Sequence, residues 1–206
     1  MRVVLASASP RRHALLGILG VAFDVDVSGV DESQPRASDA AGITAELAEL
    51  KARAVAGRHP GRLVLGSDTL VELDGRVLGK PATPADALAM LRALRGRTHR
   101  VVTAVVVLDT TTGVTHGGVA TTAVTMREVP DAELAAYVAT GEAMDAAGAY
   151  AIQGGAAGFV TAVDGDLDTV IGLPTTLVRD LLTAAGAAPP DPDPDTAQAQ
   201  AQAQAH

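Results

Sequence analysis

Arg2-Val3-Val4-Leu5-Ala6-Ser7-Ala8-Ser9-Pro10-Arg11-Arg12 packs a strand, a turn and a helix start into 11 residues. Arg2 to Ala6 is a short apolar run, the pattern of a strand covered on both faces. Ser9-Pro10 starts a helix: the serine caps a free N–H, and proline fills the first helical position, where no N–H is needed. Leu15, Leu16 and Leu19 supply a buried face and Gly20 stops the helix.

The alternation continues outward. Phe23 to Val27 reads as a second strand. Ile43, Leu47, Leu50 and Ala54 recur at helical spacing and predict a helix from about 40 to 57. Leu63 to Gly66 is another buried strand, running out at Asp68. Asp74-Gly75 is a hairpin turn between Leu70–Leu73 and Arg76–Leu78. Thr83-Pro84 starts a helix with Ala87, Met90, Leu91 and Leu94 on its apolar side. Arg100–Leu108 and Val119–Val129 read as two long strands joined around Thr112-Gly113. Pro130–Thr140 is a helix ended by Gly141. A glycine-rich stretch, Gly148 to Gly158, leads into a strand at Phe159–Val163, and a last helix follows Gly172-Leu173-Pro174 to about Ala185. Strands and helices in this order predict an α/β domain around a central sheet, spanning residues 1–185. Residues 186–206 combine a Pro-Asp alternation with an Ala-Gln repeat; they lack the bulky apolar surface that offsets ordering entropy, which predicts a disordered tail.

The chain has 206 residues, enough for one well-buried domain. Its formal charge of −8 repels a polyphosphate backbone. Phe23, Tyr137, Tyr150 and Phe159 are its only aromatic residues, too few for a nucleic-acid stacking platform. Any bound phosphate therefore needs a local positive pocket on an acidic body. The absence of cysteine excludes a disulfide framework, a thiolate zinc site and a cysteine nucleophile. The longest apolar run, Val101 to Leu108, is far too short to span a bilayer, so a soluble, unexported, cytoplasmic protein is expected, with neither a nucleic acid nor a membrane as partner.

Of 16 basic side chains only Lys51 and Lys80 are lysine. An ammonium is a point charge suited to phosphate oxygens, whereas guanidinium favours planar bidentate pairing, so a lysine kept in an arginine-rich chain marks a place that needs the compact charge. Lys51 borders the apolar stripe of its helix, either snorkelling to solvent or pointing into a site. Lys80 sits between Gly79 and Pro81, a rigid mount. The segment is not a Walker loop, because Asp74 stands where the leading glycine belongs and Pro81 where the magnesium-binding hydroxyl belongs.

Ser7, Arg11 and Arg12 meet at the junction of the first strand and helix, where unpaired N–H groups and the dipole favour an anion. Cations in a first turn oppose that dipole, and a polyphosphate would neutralise them. Asp68 and Thr69 lie just past the carboxyl end of a buried strand, the edge where open α/β sheets collect ligands; a carboxylate there can hold a divalent metal or activate water. Glu32 is a second carboxylate, in the loop after the second strand. Gln153 is polar within an apolar, glycine-rich segment, and its amide offers one donor and one acceptor face to a base edge. The five histidines show no metal-ligand spacing.

In this order the segments resemble the Maf family of nucleoside triphosphate pyrophosphatases. The resemblance rests on the residues from Leu5 to Arg12, on Lys51-Ala52, Gly66-Ser67-Asp68-Thr69, Gly79-Lys80-Pro81, Leu94-Arg95-Gly96-Arg97-Thr98-His99, Ala147-Gly148-Ala149-Tyr150 and Ile171-Gly172-Leu173-Pro174. It implies a single two-lobed α/β domain around a central mixed β-sheet flanked by helices, Maf/ITPase-like, and a homodimer. It also implies metal-dependent hydrolysis of a nucleoside triphosphate to the monophosphate and pyrophosphate, with magnesium, manganese or cobalt as the divalent cation. Carried onto this chain, Asp68 is the general base or metal-linked carboxylate and Glu32 helps place the cation. Ser7, Arg11, Arg12, Lys51 and Lys80 surround the triphosphate. Arg12, Thr69 and Gln153 resemble the branch acting on dTTP and UTP. Ser67 departs from the family pattern, where alanine is frequent. The competing readings are a nucleotide-binding regulator of cell division with incidental hydrolysis, and a nucleotidyltransferase requiring an acceptor sugar-phosphate.

Overall fold

In the computed structural model, which describes residues 2–33 and 35–190, β1 (Val3–Leu5) pairs in parallel with β2 (Phe23–Val25) and with β3 (Leu63–Leu73). β3 continues into a hairpin with β4 (Arg76–Leu78) and pairs antiparallel along its other edge with β5 (Thr98–Asp109). β6 (Thr115–Met126) and β7 (Val160–Asp164) complete a mixed sheet of seven strands. The expected α/β class and central mixed sheet are what the chain forms.

Helices cover both faces. α1 (Pro10–Ile18) carries the Ser9 cap. α2 (Ala40–Ala56) is capped by Asp39, whose carboxylate accepts from the N–H of Gly42. α3 (Pro84–Leu94) is capped by Thr83, and α4 (Asp131–Ala139), a short α5 (Leu167–Ile171) and α6 (Thr175–Ala184) follow. Alternation along the strands sorts the core. Val3, Leu5, Leu63 and Leu65 face α1 and α6, while Val4, Val64, Ala104 and Val106 face α2. A further cluster joins Val71, Val101 and Val124 of the sheet to α3, α4 and Tyr150.

Four sequence expectations change. Leu63–Gly66 is not a strand ending before Asp68: β3 is one strand of 11 residues with Asp68 and Thr69 in its middle, because β5 pairs with it as far as Glu72. The stripe on α2 is rotated from the predicted one. Thr44, Leu47, Ala48, Lys51, Ala52 and Val55 are buried, whereas Leu50 is exposed, so Lys51 lies within the buried face and not on its border. α5 was hidden among polar turn residues. At the other end, Gly186–Pro190 pack back on α6: Ala187 N–H donates to Leu182 O (2.8 Å) and Arg179 Nη1 donates to Pro190 O (2.8 Å). The rest of the expected tail, residues 191–206, lies outside the described residues. Among the described residues no helix is long and apolar enough to cross a membrane.

Candidate active site

One edge of β3 is shared by two short strands that do not meet. β1 leaves it at Leu65, where Ala6 N–H makes the last contact with Leu65 O (2.8 Å), and β4 joins only at Val71. Residues 66–70 between them have no strand on that side, and a cleft of about 720 Å³ opens there, within the range of small-ligand sites. All nine residues singled out in the sequence line it: Ser7, Arg11, Arg12, Glu32, Lys51, Asp68, Thr69, Lys80 and Gln153.

Alternation along β3 sends the gap residues to opposite faces. Gly66 and Asp68 face α2. A Cβ on Gly66 would stand 2.1 Å from Ala48 O, so glycine is what lets the helix backbone rest on the strand. That approach carries Lys51, one turn on from Ala48, to the Asp68 carboxylate. Lys51 Nζ lies 2.6 Å from Asp68 Oδ1 and 2.9 Å from Glu32 Oε2. Lys51 and Asp68 are buried, whereas Glu32 is half-exposed. Burial pushes the Asp68 carboxyl above the ordinary carboxylate range. Lys51 and Arg12 pull it back part of the way, and the Glu32 charge adds to the rise. Asp68 Oδ2 is buried and has no hydrogen-bond partner among the described residues. A buried orphan oxygen on a carboxylate is costly unless something arrives to use it.

Ser67 and Thr69 face the other way, toward α1 and the turn after α5. Arg12 reaches across from the first turn of α1 and stitches this side together. Its Nη1 donates to Ser67 O (2.9 Å), supplying a gap carbonyl with the partner no strand provides. Its Nε donates to Gly172 O (2.9 Å), and its Nη2 donates to Thr69 Oγ1 (3.0 Å). A longer contact runs from Nη1 to Ser7 Oγ (3.4 Å). These bonds explain how a cation is tolerated at the start of α1: the guanidinium leaves the helix dipole for three oxygens ahead of it. Ser67 Oγ donates to the same Gly172 O (3.1 Å), which gives this departure from the family pattern a structural use.

The remaining cations lie nearer solvent. Arg11 Nη2 donates to Asp145 O (3.0 Å), and the exposed Lys80 stands 3.9 Å from Asp145 Oδ1. Gln153 is exposed at the rim. Sequence reasoning missed Asp145 and the apolar wall of the cleft, made by Val71, Val101, Tyr150, Ile152 and Val170. Nothing local marks a valine as a wall; only the cross-strand pairing of Val71 with Val101 does so. The cleft thus has a charged end, around Asp68 and the lysines, and an apolar end over β3 and β5.

A cation-rich cleft around a buried carboxylate, at the open edge of an α/β sheet, is chemically suited to a phosphorylated ligand. The chain belongs to the Maf family, whose description, Maf-like protein, matches residues 2–185. It is 50% identical over 188 residues to a dTTP/UTP pyrophosphatase of Moorella thermoacetica, covering 90% of this chain and 95% of that one. Proteins of the same name from Deinococcus radiodurans and Pelotomaculum thermopropionicum are 44% and 45% identical. The alignments cover 91% and 89% of this chain and 94% and 96% of those relatives. Among solved structures, the Staphylococcus aureus Ham1 protein aligns over 61% of this chain and 72% of its own, with a TM-score of 0.44 and 18% identity.

Proposed function

We propose that this chain is a nucleoside triphosphate pyrophosphatase that hydrolyses dTTP and UTP to the monophosphate and pyrophosphate. The observation that carries the reading is the Oδ2 of Asp68, without a partner among the described residues and held beside Lys51 and Glu32 at the charged end of a nucleotide-sized cleft. The names of relatives sharing about half of the sequence support it.

In this reading the triphosphate lies among Ser7, Arg11, Lys51 and Lys80, and the base lies over the apolar wall. Asp68 Oδ2 takes a proton from a water molecule whose oxygen bonds to phosphorus. The α–β bridge breaks and pyrophosphate leaves, its charge met by cations already in place. Lys51 favours the ionised form of Asp68 against its burial, the form in which a carboxylate can act as a base. The residues also fit a divalent cation. Magnesium is characteristically bound by one or two carboxylates together with substrate phosphates, and the Asp68 and Glu32 carboxylates would hold it in that way. A bound cation would supply Lewis-acid stabilisation of charge on the phosphate oxygens.

Chromatography of the products from dTTP, UTP, CTP, ATP and GTP with magnesium, with Asp68→Asn as control, tests the assignment. Monophosphate and pyrophosphate from dTTP and UTP, lost in a folded Asp68→Asn protein, is the expected result. Nucleotide binding without turnover would favour a regulator instead. Thermal shift with magnesium alone tests the cation independently of turnover: stabilisation of the wild type but not of Asp68→Asn is expected, and equal shifts would remove Asp68 as a ligand.

A further inference from the structure

Thr103 belongs to no motif of the sequence, yet it holds the hydroxyl of Thr69. The two threonines are directly opposed in the register of β3 and β5, with their Oγ1 atoms 3.0 Å apart. Either hydroxyl could donate to the other, but their remaining neighbours fix the direction. Thr103 Oγ1 lies 2.7 Å from Thr169 O, and a carbonyl only accepts, so the Thr103 proton is used there. Thr103 is fully buried, which leaves water no access to reorganise the bond. Thr69 must therefore donate its own proton to Thr103. On its other side Thr69 Oγ1 receives Arg12 Nη2, and a guanidinium only donates. One lone pair of Thr69 remains, and Thr69 is partly exposed in the wall of the cleft.

The geometry points to Thr103 as a positioning residue that makes Thr69 a pure hydrogen-bond acceptor toward the base, so that the cleft selects pyrimidines carrying an N3–H. This rests on the proposed hydrolysis of pyrimidine triphosphates and deepens it. Thr69 shares its face of the sheet with Val71 and Val101, the uncharged end of the cleft, while Asp68 points to the opposite face with Lys51. Uracil and thymine present N3–H as a donor, whereas cytosine presents N3 as an acceptor. An acceptor locked against N3 bonds the first pair and repels cytosine. Among the described residues, hydrogen bonds use four of the five N–H groups of Arg12, and the fifth lies on the same Nη2 that touches Thr69, available to an imide carbonyl next to N3. A site built around a polar group of its substrate rejects the analogue lacking that group far more strongly than an apolar pocket rejects a change of size.

The experiment compares kcat/KM for UTP and CTP in the wild type, Thr103→Val and Thr103→Ser. Valine keeps the shape and removes the hydroxyl, freeing the Thr69 proton to turn toward the base. The UTP-to-CTP ratio should fall by about tenfold, the worth of one hydrogen bond. Thr103→Ser should restore it, which a merely structural role would not require. An unchanged ratio in a folded Thr103→Val protein overturns the inference while leaving the hydrolase assignment intact. A wild type that hydrolyses no pyrimidine triphosphate overturns the assignment and the inference together. Should Thr103→Val fail to fold, N3-methyl-UTP and the wild type decide: turnover equal to that of UTP overturns the inference, and selective loss supports it.

Discussion

Replacing Gly66 by alanine tests how the fold builds the site. The added Cβ would stand 2.1 Å from Ala48 O and 3.0 Å from Ala52 N, whereas ordinary contact begins at 3.4 Å. The obstacle is helix backbone, so no rotamer change relieves it, and α2 must retreat from β3 by about 1.3 Å to restore the oxygen contact. Lys51 rides on the same helix. A retreat of that size takes Nζ from 2.6 Å to beyond hydrogen-bond range of Asp68 unless the side chain re-extends. The stability cost should be about 3 kcal/mol, the upper range for overpacking, or roughly 6–12 °C in Tm for a domain of this size. The catalytic cost should be larger: about 100-fold in kcat/KM for dTTP, as expected for an ångström-scale misplacement of a charged group. Thermal unfolding followed by circular dichroism and steady-state pyrophosphate release measure the two effects separately. A Gly66→Ala protein with wild-type Tm would refute the packing argument. A destabilised variant with full activity at low temperature would refute the link from helix seating to Lys51.

Further expectations follow from the same contacts. Because burial raises the Asp68 carboxyl, kcat/KM should fall on acidification at a pH above the ordinary aspartate range, since the base works only when ionised; an acid limb at the usual carboxylate position would remove Asp68 from that role. Lys51→Arg should lower kcat strongly, because a planar guanidinium cannot take the single point between Asp68 and Glu32, whereas Lys80→Arg at an exposed position should mainly raise KM with no change in Tm; equal kinetics in both would dismiss the argument from lysine scarcity. His99, buried against the Tyr150 hydroxyl at 2.7 Å, is pushed down to about 4 by burial, so the unfolded chain holds its proton more tightly between about 6.5 and 4. Stability should therefore drop as pH falls through that window, by on the order of 3 kcal/mol at most, and His99→Gln should flatten the drop in urea titrations; an unaltered profile would count against a neutral buried ring.

Much of the site was legible in the sequence because its parts are local signals. The Ser9-Pro10 helix start, the Asp74-Gly75 hairpin and the two isolated lysines each carry their reason in a few neighbouring residues, and of these Ser9, Pro10, Lys51 and Lys80 line the cleft. What pairing decides was not legible. Periodicity put Lys51 at the rim of a helical stripe, because Leu50 looks as apolar as Leu47; only the contact of Gly66 with α2 turns Lys51 inward and leaves Leu50 exposed. The strand reading stopped short of Asp68 because a charge in an apolar run looks like an end, whereas β5 pairs through it on one edge while the other lies open.

The sequence by itself determined the class of fold, the helix starts at Ser9-Pro10 and Thr83-Pro84, the Asp74-Gly75 hairpin, and which charged residues stand apart from the solvated surface, since each of these depends on interactions spanning only a few residues. The tertiary structure alone decided that β1 and β4 leave a gap along β3, that Arg12 supplies the carbonyl stranded there, and that Thr103 directs the hydroxyl of Thr69. Those are contacts between residues far apart in the chain, set by strand register and by the need of each buried polar atom for a partner.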